Sequence, residues 1–193
     1  MTRIIGGSAG GRRIKAPTGV ATRPTSDRVR EALFSAVDAA VGSLAGLRFL
    51  DLYAGSGAVG LEARSRGAGV VTLVEQDRRT AKLIRDNVTS LGFNGVEVLA
   101  SAVATVVGRP APAPYDVVFL DPPYPVLTAE VTEVLDRAAR NGWVAPSGLV
   151  VVERATRGAE PPWPAGYRPD RSRKYGETTL WYGRAAGSMP DRG

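Results

Sequence analysis

Apolar residues along the chain switch between two spacings, and the switching predicts an α/β fold. Short apolar runs occur at residues 48–53, 70–74, 96–99, 115–120 and 149–152. Such runs suit strands covered on both faces. Between them, apolar residues recur at helical spacing. Val29, Leu33, Phe34 and Val37 follow a start at Pro24-Thr25-Ser26-Asp27, where Thr25 or Ser26 caps and Asp27 meets the positive helix end. Further helices are expected through Leu61 to Arg66, over 78–91 with Gly92 closing it, and over 128–140 with Val131, Val134, Leu135 and Ala138 on one face. The alternation predicts a doubly wound, mostly parallel, Rossmann-like sheet. Residues 167–175 and 177–182 read instead as two strands joined at Gly176, an antiparallel hairpin added to the sheet.

Before the first helix the pattern weakens to two short extended pieces, near Ile4-Ile5 and Arg13-Ile14. The expected division is a basic extension over 1–24, one domain over 25–184 and a flexible tail over 185–193. The proline-rich stretch 108–114 falls at the N-terminal edge of the sheet, and 161–164 leaves from the C-terminal edge, where such sheets bind ligands.

Composition narrows the chemistry. The 193 residues, 44% hydrophobic, suit a single core. There is no cysteine and no histidine, so disulfides, thiolate metal sites, cysteine nucleophiles and serine–histidine triads are excluded. No metal is expected. No signal peptide or membrane span is legible, which predicts a cytoplasmic location without a membrane partner; a monomer is expected. The net charge of +6 favours a polyanion. Residues 1–30 carry Arg3, Arg12, Arg13, Lys15, Arg23, Arg28 and Arg30 against one acid, Asp27. This predicts an RNA-binding arm that tracks phosphates and whose glycines let it mould to RNA. Arg168, Arg171, Arg173, Lys174 and Arg184 extend the basic surface near the hairpin.

Two motifs carry chemistry. The first, Asp51-Leu-Tyr-Ala54-Gly55-Ser-Gly57-Ala-Val-Gly60, joins a strand to a helix. Glycine lets a ligand approach the backbone, and the helix start offers amide donors. Glu75, 20 residues after Gly55 and followed by Gln76, ends the next strand, where a carboxylate accepts ribose hydroxyls. That spacing fits a dinucleotide or a methyl donor. Asp51 disfavours a pyrophosphate and attracts the ammonium and sulfonium of S-adenosylmethionine. Ser101 and Ala102 follow the third strand at the same edge and are candidates for an adenine contact.

The second motif, Asp121-Pro122-Pro123-Tyr124, ends the fourth strand. The prolines stiffen the backbone and remove amide donors. The Pro122 carbonyl and the Asp121 carboxylate then stand as acceptors for an amino group, and Tyr124 offers a face for a planar target. Amino groups on aromatic rings are poor nucleophiles, so holding both hydrogens and aiming the lone pair supplies much of the catalysis.

Together the motifs look like those of class I amino-methyltransferases. Arg3-Ile-Ile-Gly-Gly, Gly11-Arg12 and the run from Arg23 to Phe34 resemble the bacterial 16S ribosomal RNA guanine-N2 methyltransferases of the small-subunit helix 31 loop. The resemblance spans about residues 3 to 183. It implies a seven-stranded sheet, S-adenosylmethionine as donor, Asp121 to Tyr124 around the guanine amine, and Gly55, Gly57 and Glu75 around the donor. Ser101-Ala102 departs from the acidic pattern usual there. Adenine-N6 methylation, a non-catalytic RNA-binding assembly factor and a nicotinamide dehydrogenase are the competing readings.

Overall fold

Each apolar run becomes a strand and each periodic stretch a helix in the computed structural model, which describes residues 2–18, 26–123 and 126–187. In chain order the elements are β1 (Thr2–Arg3), β2 (Arg13–Ile14), α1 (Asp27–Val41), β3 (Arg48–Leu52), α2 (Ala58–Ser65), β4 (Val70–Glu75), α3 (Arg78–Leu91), β5 (Val96–Ala100), α4 (Val103–Val107), β6 (Tyr115–Leu120), α5 (Thr128–Arg140), β7 (Val144–Ala155), β8 (Tyr167–Tyr175) and β9 (Thr178–Ala185). Strands β3 to β9 form one sheet in the order β5-β4-β3-β6-β7-β9-β8, and the order reverses beside β3. The pairs from β5 to β7 are parallel; β9 runs antiparallel to both β7 and β8.

Side-chain alternation assigns the two faces. Phe49, Val71, Leu73, Val117, Phe119, Leu149 and Val151 pack with Val29, Leu33, Phe34 and Val37 of α1, Val59 of α2 and Ile84 of α3. Leu50, Leu52, Val74, Val118, Leu120, Val150 and Val152 pack with α4 and α5 on the other face. On β3, β4 and β7, and on β6 from Val117 onward, odd positions thus face α1 to α3 and even ones face α4 and α5, while β5 and β9 carry the opposite parity.

Two elements depart from the sequence pattern. Helix α4 has only five residues, too few to display a period. Strand β7 starts at Val144, before the apolar run at 149, because a kink with Ser147 at φ 59 and a register shift opposite β6 interrupt its alternation. Ser26 caps α1, its hydroxyl accepting from the Val29 amide at 3.3 Å. Thr25 and the tail 188–193 lie outside the described residues.

Residues 2–18 of the N-terminal extension are docked rather than loose. Ile4, Ala9 and Ile14 are buried against Ala58 and Leu61 of α2 and Leu91 of α3. A fully buried carboxylate fixes it: Glu62 accepts the amides of Ile5 and Gly6, each at 2.8 Å, and Arg66 Nε at 2.8 Å. Arg30, equally buried, lies 3.7 Å from Glu62 and donates to the Arg3 carbonyl and to Asp27 at 3.1 Å. Gly7 serves packing, not pliability. Its φ is +77, and a Cβ there would stand 1.9 Å from the Ser65 carbonyl oxygen.

Removing one partner of a buried ion pair strands the other without water. Glu62→Ala is therefore expected to cost about 3–5 kcal/mol in urea denaturation. Glu133→Ala, which breaks the exposed Glu133–Arg137 pair, is expected to cost less than about 1 kcal/mol. Similar losses in the two variants would contradict the clamp.

Candidate active site

The C-terminal edge brings the two motifs together. After β3 the chain turns sharply through Tyr53 (φ 64), Gly55 (φ 55) and Gly57 (φ 80), and Gly57 begins α2. The turn is held by the Ala54 amide on the Val74 carbonyl at 2.9 Å and the Gly57 amide on the Ala54 carbonyl at 2.8 Å. The three glycines answer different needs. A Cβ at Gly60 would meet Leu73 at 2.6 Å and one at Gly57 would meet Ile84 at 3.0 Å, so both admit helix packing. At Gly55 nothing lies within 4 Å of the added atom. Gly55 alone opens onto free space of the kind a ligand fills.

Glu75 closes this space from β4. One carboxylate oxygen accepts the Gly55 amide at 2.9 Å and the other accepts the Asp77 amide at 2.9 Å. A carboxylate offers about four acceptor positions. Two remain, which matches the two hydroxyls of a ribose. The Ser101 amide bonds the Glu75 carbonyl at 3.1 Å, which brings Ser101 beside this cradle. Ala102 is exposed and caps α4 through its carbonyl, and Gln76 is exposed next to Glu75.

Asp51 is almost wholly buried and accepts the Gly60 amide at 2.8 Å, pinning the first turn of α2. Burial, above all, pushes its carboxyl up to about 7; the Gly60 bond opposes this, and the charges of Glu75 and Glu153 reinforce it. It acts on a ligand through the loop and its field rather than from an open surface.

Asp121 follows β6, with its amide on the Leu52 carbonyl at 3.4 Å. Pro122 is buried and Pro123 is exposed; the Pro123 carbonyl accepts the Val126 amide at 2.9 Å. Arg154 donates to the Val126 carbonyl at 3.1 Å and so tethers the segment that follows the tetrapeptide. Burial raises the Asp121 carboxyl well above its ordinary value, and the charges of Glu153 and then Asp51 add to this while Arg154 opposes it. Tyr124 lies outside the described residues. Sequence reasoning passed over Glu153. It directly follows the apolar run 149–152 and precedes Arg154, and only the register of β7 against β6 sets it beside Asp121. Although several acids share this edge, no three His, Cys, Asp or Glu residues among those described converge as metal ligands would.

The basic residues divide. Arg3, Arg13, Lys15 and Arg28 are exposed, and Arg3 and Arg13 pair across β1 and β2. Arg12 spends its guanidinium on the carbonyls of Ser90 and Leu91, capping the C-terminal end of α3. Arg30 is a correction: its side chain is buried in the Glu62 network, where no phosphate can reach it. Arg23 lies outside the described residues. No helix among the described residues is long and apolar enough to cross a membrane.

A sheet reversing beside a glycine turn, an acid closing the next strand and an Asp-Pro-Pro ending the strand beyond define a class I, Rossmann-like methyltransferase. Residues 2–184 match the family described as conserved hypothetical protein 95. Ribosomal RNA small subunit methyltransferase D of Escherichia coli K12 is 35% identical over 175 residues, covering 91% of this chain and 85% of the relative. The protein of that name from Haemophilus influenzae is 35% identical over 154 residues, covering 78% of this chain and 77% of the relative. Among solved structures, Escherichia coli yhhF superposes with a TM-score of 0.85 at 32% identity, covering 96% of this chain and 98% of that one. The chain belongs to the family of ribosomal RNA small subunit methyltransferase D, and it is a methyltransferase.

Proposed function

We propose that the protein transfers a methyl group from S-adenosylmethionine to the exocyclic N2 amine of a guanine in 16S ribosomal RNA, carried by the small subunit or an assembly intermediate. The observation that carries this reading is the placement of Asp121 across β3 from the Gly55–Glu75 cradle, on the same sheet edge. The relatives' names point to ribosomal RNA, and the amino-group acceptors and the N-terminal resemblance point to guanine N2.

The residues fit the donor. The space at Gly55 admits a ligand against the backbone, and Glu75 keeps two acceptor positions for a diol. Asp51 supplies negative potential for a cationic group. The bound donor would supply an electrophilic methyl on a positively charged sulfur. The protein does the rest by orientation: Asp121 and the Pro122 carbonyl hold the amine hydrogens, and Tyr124 stacks on the base, worth about 1–3 kcal/mol.

Incubation with labelled donor and small subunits, naked 16S RNA, DNA or release factor tests the reading. N2-methylguanine from ribosomal RNA supports it. N6-methyladenine, label on protein or no product with any substrate would overturn it. The docked extension is proposed to present Arg3, Arg13, Lys15 and Arg28 to phosphates, in a monomeric cytoplasmic enzyme. Arg13→Ala and Arg28→Ala are each expected to weaken RNA binding at any sequence and to reduce the salt dependence by roughly one phosphate contact. Filter binding across a salt series reads both. An unchanged salt slope would remove these residues from the interface.

A further inference from the structure

Strand parity gathers one more acid at the reacting edge. Asp51, Glu75 and Glu153 occupy odd positions on β3, β4 and β7, the positions that face α1 to α3. Asp121 takes the same parity one residue past β6. The register sets Leu120 beside Val152, so the next pair along these parallel strands is Asp121 and Glu153. Glu153 is 9% exposed, next to Val152 in the chain and paired with Leu180 on the neighbouring β9. A carboxylate in that position costs desolvation, and packing alone favours an apolar side chain there.

We propose that Glu153 is a positioning residue for methyl transfer: held beside Asp121 on the same face of the sheet edge, its carboxylate keeps Asp121 a strong enough base to take the proton that the target amine releases. This rests on the assignment of Asp121 to the reacting amine. The step balances within the site. The amine lone pair forms the new N–C bond, the pair of the breaking S–C bond stays on sulfur, and one N–H proton passes to the Asp121 carboxylate and then to solvent. A carboxylate with an ordinary value is a weak base for this task, and a neighbouring like charge strengthens it. Among the described residues the charged groups acting on Asp121 are Glu153 and Asp51, which raise it, and Arg154, which opposes them. Glu75 acts on Asp51 behind it. Arg154 has the opposite parity to Glu153 and spends a donor on Val126. The charge of Glu153 beside Asp121 thus disfavours ionisation of Asp121.

The test titrates the full protein labelled with carbon-13 in its aspartate and glutamate carboxyls, without RNA or donor. Asp121→Asn assigns the Asp121 resonance. Glu153→Gln, which keeps the shape and removes the charge, is expected to lower the Asp121 midpoint by about one pH unit. Glu153→Asp is expected to keep it near the wild-type position. The acid limb of the single-turnover methylation rate should move with the midpoint. Should Glu153→Gln fail to fold, Glu153→Leu, which suits the apolar neighbours Val152 and Leu180, supplies the second measurement and is expected to lower the Asp121 midpoint in the same way. An Asp121 midpoint unmoved in Glu153→Gln or in Glu153→Leu overturns the proposal. Neither titration needs a substrate, so a failure of the guanine assignment shows separately, in the nucleoside product.

Discussion

Replacing Asp121 by Asn is expected to slow methyl transfer by roughly 100- to 10,000-fold, the range associated with losing a positioned acceptor or base. The amide keeps the size and one carbonyl acceptor, so the turn should survive. What goes is a negative acceptor for the amine hydrogens and a place for the departing proton. Donor binding is expected to change little, because the cradle at Gly55 and Glu75 lies beyond β3 and makes its own contacts. The check is a single-turnover rate alongside calorimetric titration of S-adenosylmethionine. A rate within a few-fold of wild type would remove Asp121 from the chemistry. Equal loss of rate and donor affinity would reassign it to the cradle.

Asp51→Asn is expected to stabilise the unliganded protein while weakening its hold on the donor. The Asp51 carboxyl is raised from 3.8 to about 7, mainly by burial. The folded state therefore keeps a proton that the unfolded chain releases. Stability is unaffected below about 4, falls as pH rises through the window from 3.8 to 7, and carries the full cost above it. That cost is on the order of 4 kcal/mol. Asparagine avoids it, so at pH 8 the variant should unfold at higher urea, with the difference vanishing at pH 4. A cationic ligand favours the ionised acid. Wild-type donor affinity should accordingly rise with pH up to about 7 and binding should release a proton, visible in buffers of different ionisation enthalpy. The variant should show neither effect. A wild-type affinity that is flat from pH 5 to 8 would disprove the coupling.

Both effects begin in residues visible in the sequence, yet their legibility differs. Asp121-Pro122-Pro123 could be read directly because its acceptors are adjacent along the chain and follow an apolar run. Gly55 and Gly57 looked alike, and only their surroundings separate them: free space at one, Ile84 at the other. Arg30 read as surface charge because it sits in a basic stretch, but the turn of α1 carries it inward to Glu62. Its partner, 32 positions away, left no local signal.

The sequence by itself determined the alternation of strands and helices, the antiparallel hairpin, the glycine turn after β3 and the Asp121-Pro122-Pro123 turn after β6. Each depends on spacing or contact between near neighbours, which hydrophobic periodicity and turn chemistry express locally. Only the tertiary structure decided that the basic extension is clamped by Glu62, that Asp51 is sealed against Gly60, and that Glu153 stands beside Asp121. These depend on which strand lies next to which and on how far a charge is withdrawn from water. Both are properties of the assembled sheet, and burial turns ordinary acids into coupled ones.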